Sequence, residues 1–236
     1  MRIRGLLFDF DGLILDTETA LHAGWQWLYR EHGLELPEDL WARTVGTING
    51  FDAGAHLEEL VGGPLDWESL TARRNEHELT LIEAEELRPG ILEYLADAQR
   101  LGLKRAIVSS SSKDWVDLHL RRLEQAAGWD AIVTADHDIE RAKPRPTLYL
   151  EALDALGLEP IEAIAFEDSP NGVRAAKAAG ILCVAVPNSV TSAYRLDEAD
   201  LVLESLAELP LPRLLEQADK RRRDGRDHDD REQRRA

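Results

Sequence analysis

Two aspartates, Asp9 and Asp11, close the apolar run "LLFDFDG", and Gly12 follows at once. A solvent-facing turn, a calcium loop and a nucleophile held at a strand tip are the readings to separate. A calcium loop needs oxygen ligands at its first, third and fifth positions, glycine at the sixth and glutamate at the twelfth. Counted from Asp9, the last three places hold Leu13, Ile14 and Ala20, so that reading fails. Two acids at one strand end can instead divide a reaction. One attacks as a nucleophile, and the other protonates the leaving group and then deprotonates the incoming water. Gly12 lets the chain turn sharply in dihedral space that other residues avoid.

Further polar groups stand where other apolar runs end. Ser109 follows "RAIV", Lys143 lies in "RAKPRP", and Glu167 and Asp168 follow "AIAF". Ligands of open α/β sheets bind beyond the carboxyl ends of the strands. Strands lying side by side would therefore bring all these groups to one point. Two carboxylates about 4 Å apart repel by about 4 kcal/mol at an effective dielectric of about 20. A hard divalent cation relieves that repulsion, and oxygen-only ligands suit Mg²⁺. Lys143 adds a fixed positive charge and Ser109 a hydroxyl donor. This is equipment for phosphoryl transfer, whose main demands are positioning and neutralising charge. Asp9 would attack phosphorus, and Asp11 would act as acid and then base.

The elements that must position these groups follow from the apolar pattern. Residues 3–10, 104–111, 162–168 and 181–187 are short, continuously apolar runs expected of buried parallel strands, with 130–136 and 199–205 as two more. Helical patterns lie between them. "PGILEYLADAQRLG" places proline in its first turn, and "PRPTLYLEALDALG" and "SPNGVRAAKAAG" also close on glycine. The alternation predicts a Rossmann-like α/β fold, a doubly wound parallel sheet. Residues 17–86 carry helical patterns and no good strand. They are expected to form an inserted helical cap on a core of 1–16 and 87–218. Trp25, Trp27, Trp41 and Trp67 are expected to pack its interior. Thr17 is the expected cap of the first inserted helix, with Glu18 in its first turn. In the serine run 109–112, the serines after Ser109 are expected to cap the helix "KDWVDLHLRRL". His32, His56, His119 and His137 show no metal-ligand spacing, and surface or helix-end places are expected for them. The segment 219–236 is almost wholly charged and is expected to be disordered or a frayed helix.

Composition narrows the partners. The chain has 236 residues and is 44% hydrophobic, enough for a real core. Its formal charge of −17 repels nucleic acid and anionic lipid, so neither is an expected partner. The single cysteine, Cys183, sits among apolar neighbours and fits a reducing compartment as a buried thiol. The N-terminal apolar run is too short for a secretory signal, and no run reaches the ~20 residues of a membrane span. A cytoplasmic monomer is expected.

With "FDFDG" (8–12), Ser109 after a strand, "KP" at Lys143–Pro144 and "EDSPNG" (167–172) in this order, the chain resembles the haloacid dehalogenase superfamily of phosphohydrolases. The likeness covers residues 3 to about 205. "DGLILDTE" with the helical insertion resembles the subgroup with an α-helical cap after the first motif, which includes β-phosphoglucomutase-like proteins and many small-metabolite phosphatases. The resemblance implies Asp9 as nucleophile and Asp11 as acid/base. It implies Mg²⁺ on the Asp9 carboxylate, the Asp11 backbone carbonyl and Asp168, with Glu167 ligating or nearby. Ser109 and Lys143 would hold the phosphoryl group with backbone amides near Gly12 and Ser110. A dehalogenase of the superfamily would lack the second acid, so Asp11 favours phosphate over halide.

The mutases of this subgroup use a cap arginine for a second phosphate. By position that site falls near Asn49, in "VGTING", where no arginine stands. Hydrolysis of a small phosphorylated metabolite is therefore the expected reaction. A sugar-phosphate mutase, or a non-catalytic protein that binds phosphate or metal, are the alternatives. Asn49, Arg73, Arg74 and His77 are the cap residues expected to select substrate.

Overall fold

Successive residues of a strand point to opposite faces of the sheet, and in this protein both faces are apolar. The computed structural model describes residues 2–41 and 51–221. Six parallel strands form one sheet in the order β3-β2-β1-β4-β5-β6. They are β1 (Gly5–Phe8), β2 (Lys104–Ser109), β3 (Ala131–Thr134), β4 (Ala163–Glu167), β5 (Leu182–Ala185) and β6 (Leu201–Val202). Leu6, Phe8, Ile107, Ile164, Phe166 and Val184 share one buried cluster. Their neighbours Leu7, Ala106, Val108, Ala165, Cys183 and Ala185 share another on the opposite face. The buried leucine, isoleucine, valine and phenylalanine side chains among them stabilise the fold by about 1.5–3 kcal/mol each.

Helices cover both faces. α5 (Ile91–Leu101), α6 (Lys113–Arg122) and the helix over 211–221 pack on the first. α7 (Thr147–Leu156) and α8 (Pro170–Ala178) pack on the second. This is the doubly wound α/β architecture expected from the sequence. Pro89 lies ahead of α5, not in its first turn: Gly90, at φ +90°, is the residue that opens that helix.

Between β1 and α5 the chain forms α1 (Thr17–Glu31), α2 (Glu38–Trp41), α3 (Ala53–Val61) and α4 (Trp67–Ala84). These helices have their own apolar cluster, built on Leu28, Tyr29, Trp41 and Leu57, with Trp25, Trp27 and Trp67 against it. Val190 and Tyr194, from the loop after β5, also pack on this cluster. Asp16, not Thr17, caps α1, accepting from the Thr19 amide at 3.1 Å. Both residue types cap well, and Thr17 is already committed to Asp11. Asn49, and all of the charged terminal segment beyond residue 221, lie outside the described residues, whereas 219–221 are helical. No helix among the described residues is long and apolar enough to cross a membrane.

Candidate active site

From β1 the chain adds β2 and β3 on one side, then returns to place β4 on the other. The strand order therefore reverses between β1 and β4, and ligands of open sheets bind outside the carboxyl ends at such a point. Phe8 pairs with Phe166 in register, and the Asp9 amide donates to the Phe166 carbonyl at 3.0 Å. Asp9 thus leaves β1 beside Glu167 and Asp168 leaving β4. Carboxylate oxygens of Asp9, Glu167 and Asp168 all lie within 4.8 Å of one another, and all three residues are buried.

Lys143 is the cation of this cluster. Its Nζ stands 2.5 Å from Asp9 Oδ1 and 2.6 Å from Glu167 Oε1. Its loop is held by the backbone amide, which donates to the Ser110 hydroxyl at 3.2 Å. The Tyr149 hydroxyl, from α7, donates to the same Glu167 oxygen. Burial would lower the Lys143 ammonium, but Asp9 and Glu167 outweigh it and hold the charge in place. For Asp9 the balance falls the other way. Burial, then the Glu167 carboxylate, push it up to about 8 against the pull of Lys143. Burial also drives Asp168 well above the usual carboxylate range, with Asp9, Glu18 and Glu167 adding to it. One lysine does not compensate three buried acids.

The donor set fits a hard dication. It is all oxygen, and Glu167 Oε2 is buried with no hydrogen-bond partner among the described residues. Two glycines make room for these carboxylates. A Cβ on Gly12, which sits at φ +80°, would fall 2.1 Å from Asp168 Oδ2, and one on Gly172 would fall 1.7 Å from Glu167 Oε2. Asp9, Glu167 and Asp168 are accordingly the residues that could hold a divalent metal.

Asp11 is near this cluster but its carboxylate turns elsewhere. Oδ1 accepts from the Thr17 hydroxyl at 3.1 Å and the Trp115 indole at 2.8 Å. Oδ2 accepts from the hydroxyls of Ser109 at 3.3 Å and Ser111 at 2.6 Å. Ser109 is fully buried, and its oxygen also accepts the Ser111 amide at 3.0 Å. Ser112, the last serine of the run, caps α6. The structure therefore gathers Asp9, Asp11, Gly12, Ser109, Ser110, Lys143, Glu167 and Asp168 at one rim of the sheet.

Arg73, Arg74 and His77 have other engagements. Arg74 pairs with Glu78 at 2.9 Å and lies 4.2 Å over the Trp25 ring. Arg73 pairs with Glu31 and lies over Trp27, on which His77 also stacks. Apart from the Arg74–Glu78 pair, which lies within α4, these contacts join α4 to α1. Among the described residues none of the three has a hydrogen bond, ion pair or ring contact with the acidic cluster.

Sequence reasoning missed Asn188. Its amide nitrogen donates to Asp168 Oδ2 at 2.9 Å and to the Gly12 carbonyl at 3.4 Å. Its amide oxygen accepts the Val190 and Thr191 backbone amides, so the side chain is fixed at both ends. It stands just past β5, where the strand-end rule could have found it. Arg88 was also missed. It ties the return segment from the helices to the carbonyls of Gly12, Val186 and Pro187. His119 lies in the last turn of α6, the helix-end place expected, but is buried, with Trp115 edge-on to its ring.

Comparison with known proteins agrees with this geometry. The family profile described as haloacid dehalogenase-like hydrolase matches residues 6–186. The Bacillus subtilis protein YhcW is 46% identical over 214 residues, covering 91% of this chain and 97% of its own. Hexitol phosphatase A of Escherichia coli is 35% identical over 214 residues, covering 89% and 94%. The crystal structure of CbbY from Rhodobacter sphaeroides in complex with phosphate superposes with a TM-score of 0.67 at 29% identity, covering 87% and 96%. With its parallel sheet, its acids at the strand switch and this profile over most of its length, the chain belongs to the haloacid dehalogenase-like hydrolase family.

Proposed function

We propose that the protein hydrolyses a small-metabolite phosphate monoester in a Mg²⁺-dependent reaction, through a phosphoryl group carried on Asp9. The observation that carries this reading is the buried Asp9 carboxylate, held between Lys143 and two further acids at the switch point of the sheet. Support for a phosphorylated substrate comes from hexitol phosphatase A by its name, and from the phosphate held in the CbbY crystal structure.

Asp9 attacks phosphorus, and Asp11 protonates the departing oxygen. Asp11 then takes a proton from the water that displaces Asp9 from phosphorus. Lys143, the Ser109 hydroxyl and the backbone amides near Gly12 and Ser110 hold the phosphoryl oxygens as charge shifts among them. Asp9, Asp168 and the Asp11 carbonyl would hold the metal, with Glu167 ligating or adjacent. Mg²⁺, when bound, neutralises the acid cluster and polarises the phosphoryl oxygens. The helical insertion over 17–86 acts as a cap that excludes bulk water and positions the leaving group. Its apolar cluster rests on the loop carrying Val190 and Tyr194, and Thr19 Oγ1 lies 2.8 Å from Ser189 Oγ.

The test is phosphate release over sugar phosphates, hexitol phosphates, phosphoglycolate and nucleoside monophosphates, with Mg²⁺ and then with chelator. Release that stops in chelator and returns with Mg²⁺ is expected. Full activity in chelator removes the metal from the mechanism. Interconversion of sugar phosphates without release replaces hydrolysis with the mutase reaction.

A further inference from the structure

Trp115 stands in the first turn of α6, where its backbone amide donates to the capping Ser112 hydroxyl at 3.3 Å. One turn later lies buried His119, whose ring meets Trp115 edge-on at 4.2 Å between centroids. That packing fixes the indole, and its Nε1 donates to Asp11 Oδ1 at 2.8 Å.

The four partners of Asp11 differ in kind. Thr17, Ser109 and Ser111 offer hydroxyls, which can rotate and either donate or accept. An indole N–H can only donate. A carbonyl oxygen accepts such a donor better than a carboxylic O–H does, so the fixed indole favours Oδ1 as the unprotonated oxygen when Asp11 carries its proton. Oδ2 faces only hydroxyls, and a hydroxyl can reverse when a proton arrives there.

Resting on the reading of Asp11 as acid and base, we propose that Trp115 is a positioning residue that anchors Oδ1 and so assigns the transferred proton to Oδ2, beside Ser109. As the bond from Asp9 to phosphorus forms and the ester bond breaks, the Oδ2 proton passes to the leaving oxygen. As water's oxygen bonds to phosphorus and the bond to Asp9 breaks, a water proton returns to Oδ2. Trp115 touches neither reacting atom.

Trp115→Phe keeps a ring against His119 and removes only the donor. The assay is kcat/KM with Mg²⁺ for phenyl phosphate and for p-nitrophenyl phosphate, two esters of similar shape whose leaving groups differ in their need for a proton. The variant is expected to lose about tenfold on phenyl phosphate and less than about twofold on p-nitrophenyl phosphate. Asp11→Asn should show the same asymmetry with larger losses. Trp115→Leu also lacks the donor and repeats the measurement if the Phe variant does not fold. Equal losses on both esters reduce Trp115 to a structural role, and an unchanged phenyl phosphate rate overturns the proposal. Asp9→Asn separates the two levels. If that variant still turns over, the reaction scheme itself has failed. If it is inactive while Trp115→Phe matches the parent, only the role of Trp115 has failed.

Discussion

Replacing Asp9 by Asn removes one negative charge from the buried cluster while keeping its shape. In the metal-free fold, burial and then Glu167 push Asp9 from 3.8 to about 8, although Lys143 pulls it down. A carboxyl raised in this way contributes its full stability below the unfolded value and loses it as pH rises through the folded one. For Asp9 that window runs from 3.8 to about 8. Each pH unit inside it is worth about 1.4 kcal/mol, so the loss between about pH 5 and about pH 8.5 is about 4 kcal/mol. For a domain of this size that corresponds to a fall of roughly 8–16 °C in Tm. Asp9→Asn has no such proton to lose. Urea or thermal unfolding in chelator should therefore show the variant gaining about 4 kcal/mol on the parent across that interval. Taking the difference between the two proteins cancels the slopes of groups that do not feel Asp9, while Asp168, which Asp9 also raises, widens the gap in the same direction. Saturating Mg²⁺ should shrink the gap at the alkaline end, because the metal stabilises the ionised parent. A gap that stays constant or narrows as pH rises would show that Lys143 already compensates Asp9, and the argument for a metal from excess buried charge would collapse.

Gly172→Ala should cost at least about 3 kcal/mol in chemical denaturation, because its methyl would fall on a Glu167 carboxylate that is fully buried and pinned by Lys143 and Tyr149. A cost under about 1 kcal/mol would mean that Glu167 is free to move. Asn188→Ala deletes the bond to Asp168 and should weaken Mg²⁺ binding about 10- to 100-fold, read by thermal-shift titration. An unchanged midpoint would remove Asn188 from the metal site.

The acids, Lys143 and Ser109 were legible because each closes or follows an apolar run, and the parallel sheet aligns those ends. Asn188 obeys the same rule after β5, yet a search for ionisable groups passes over an amide. Trp115 could not be found this way, since its N–H reaches Asp11 through the rotation of α6 and not through any strand end. That helix pattern did carry a signal for His119. Spacings of three and four place Trp115, Val116, His119 and Leu120 on one face, and the last three are buried. Asp16 and Thr17 are both good caps, so only the hydrogen bond from Thr17 to Asp11 decides between them. The direction taken by Arg73 and Arg74 was equally hidden, because it depends on the pairing of α4 with Trp25 and Trp27 of α1.

The phosphoryl group can be sought directly on the enzyme. Asp11→Asn, exposed briefly to acetyl phosphate with Mg²⁺ and quenched in acid, keeps the nucleophile but lacks the base that activates water. Peptide mass mapping should find one added phosphoryl group on Asp9 and none there in the Asp9→Asn variant. Steady phosphate release by the unmodified protein, with Asp9 never labelled in either background, would contradict covalent transfer through this residue.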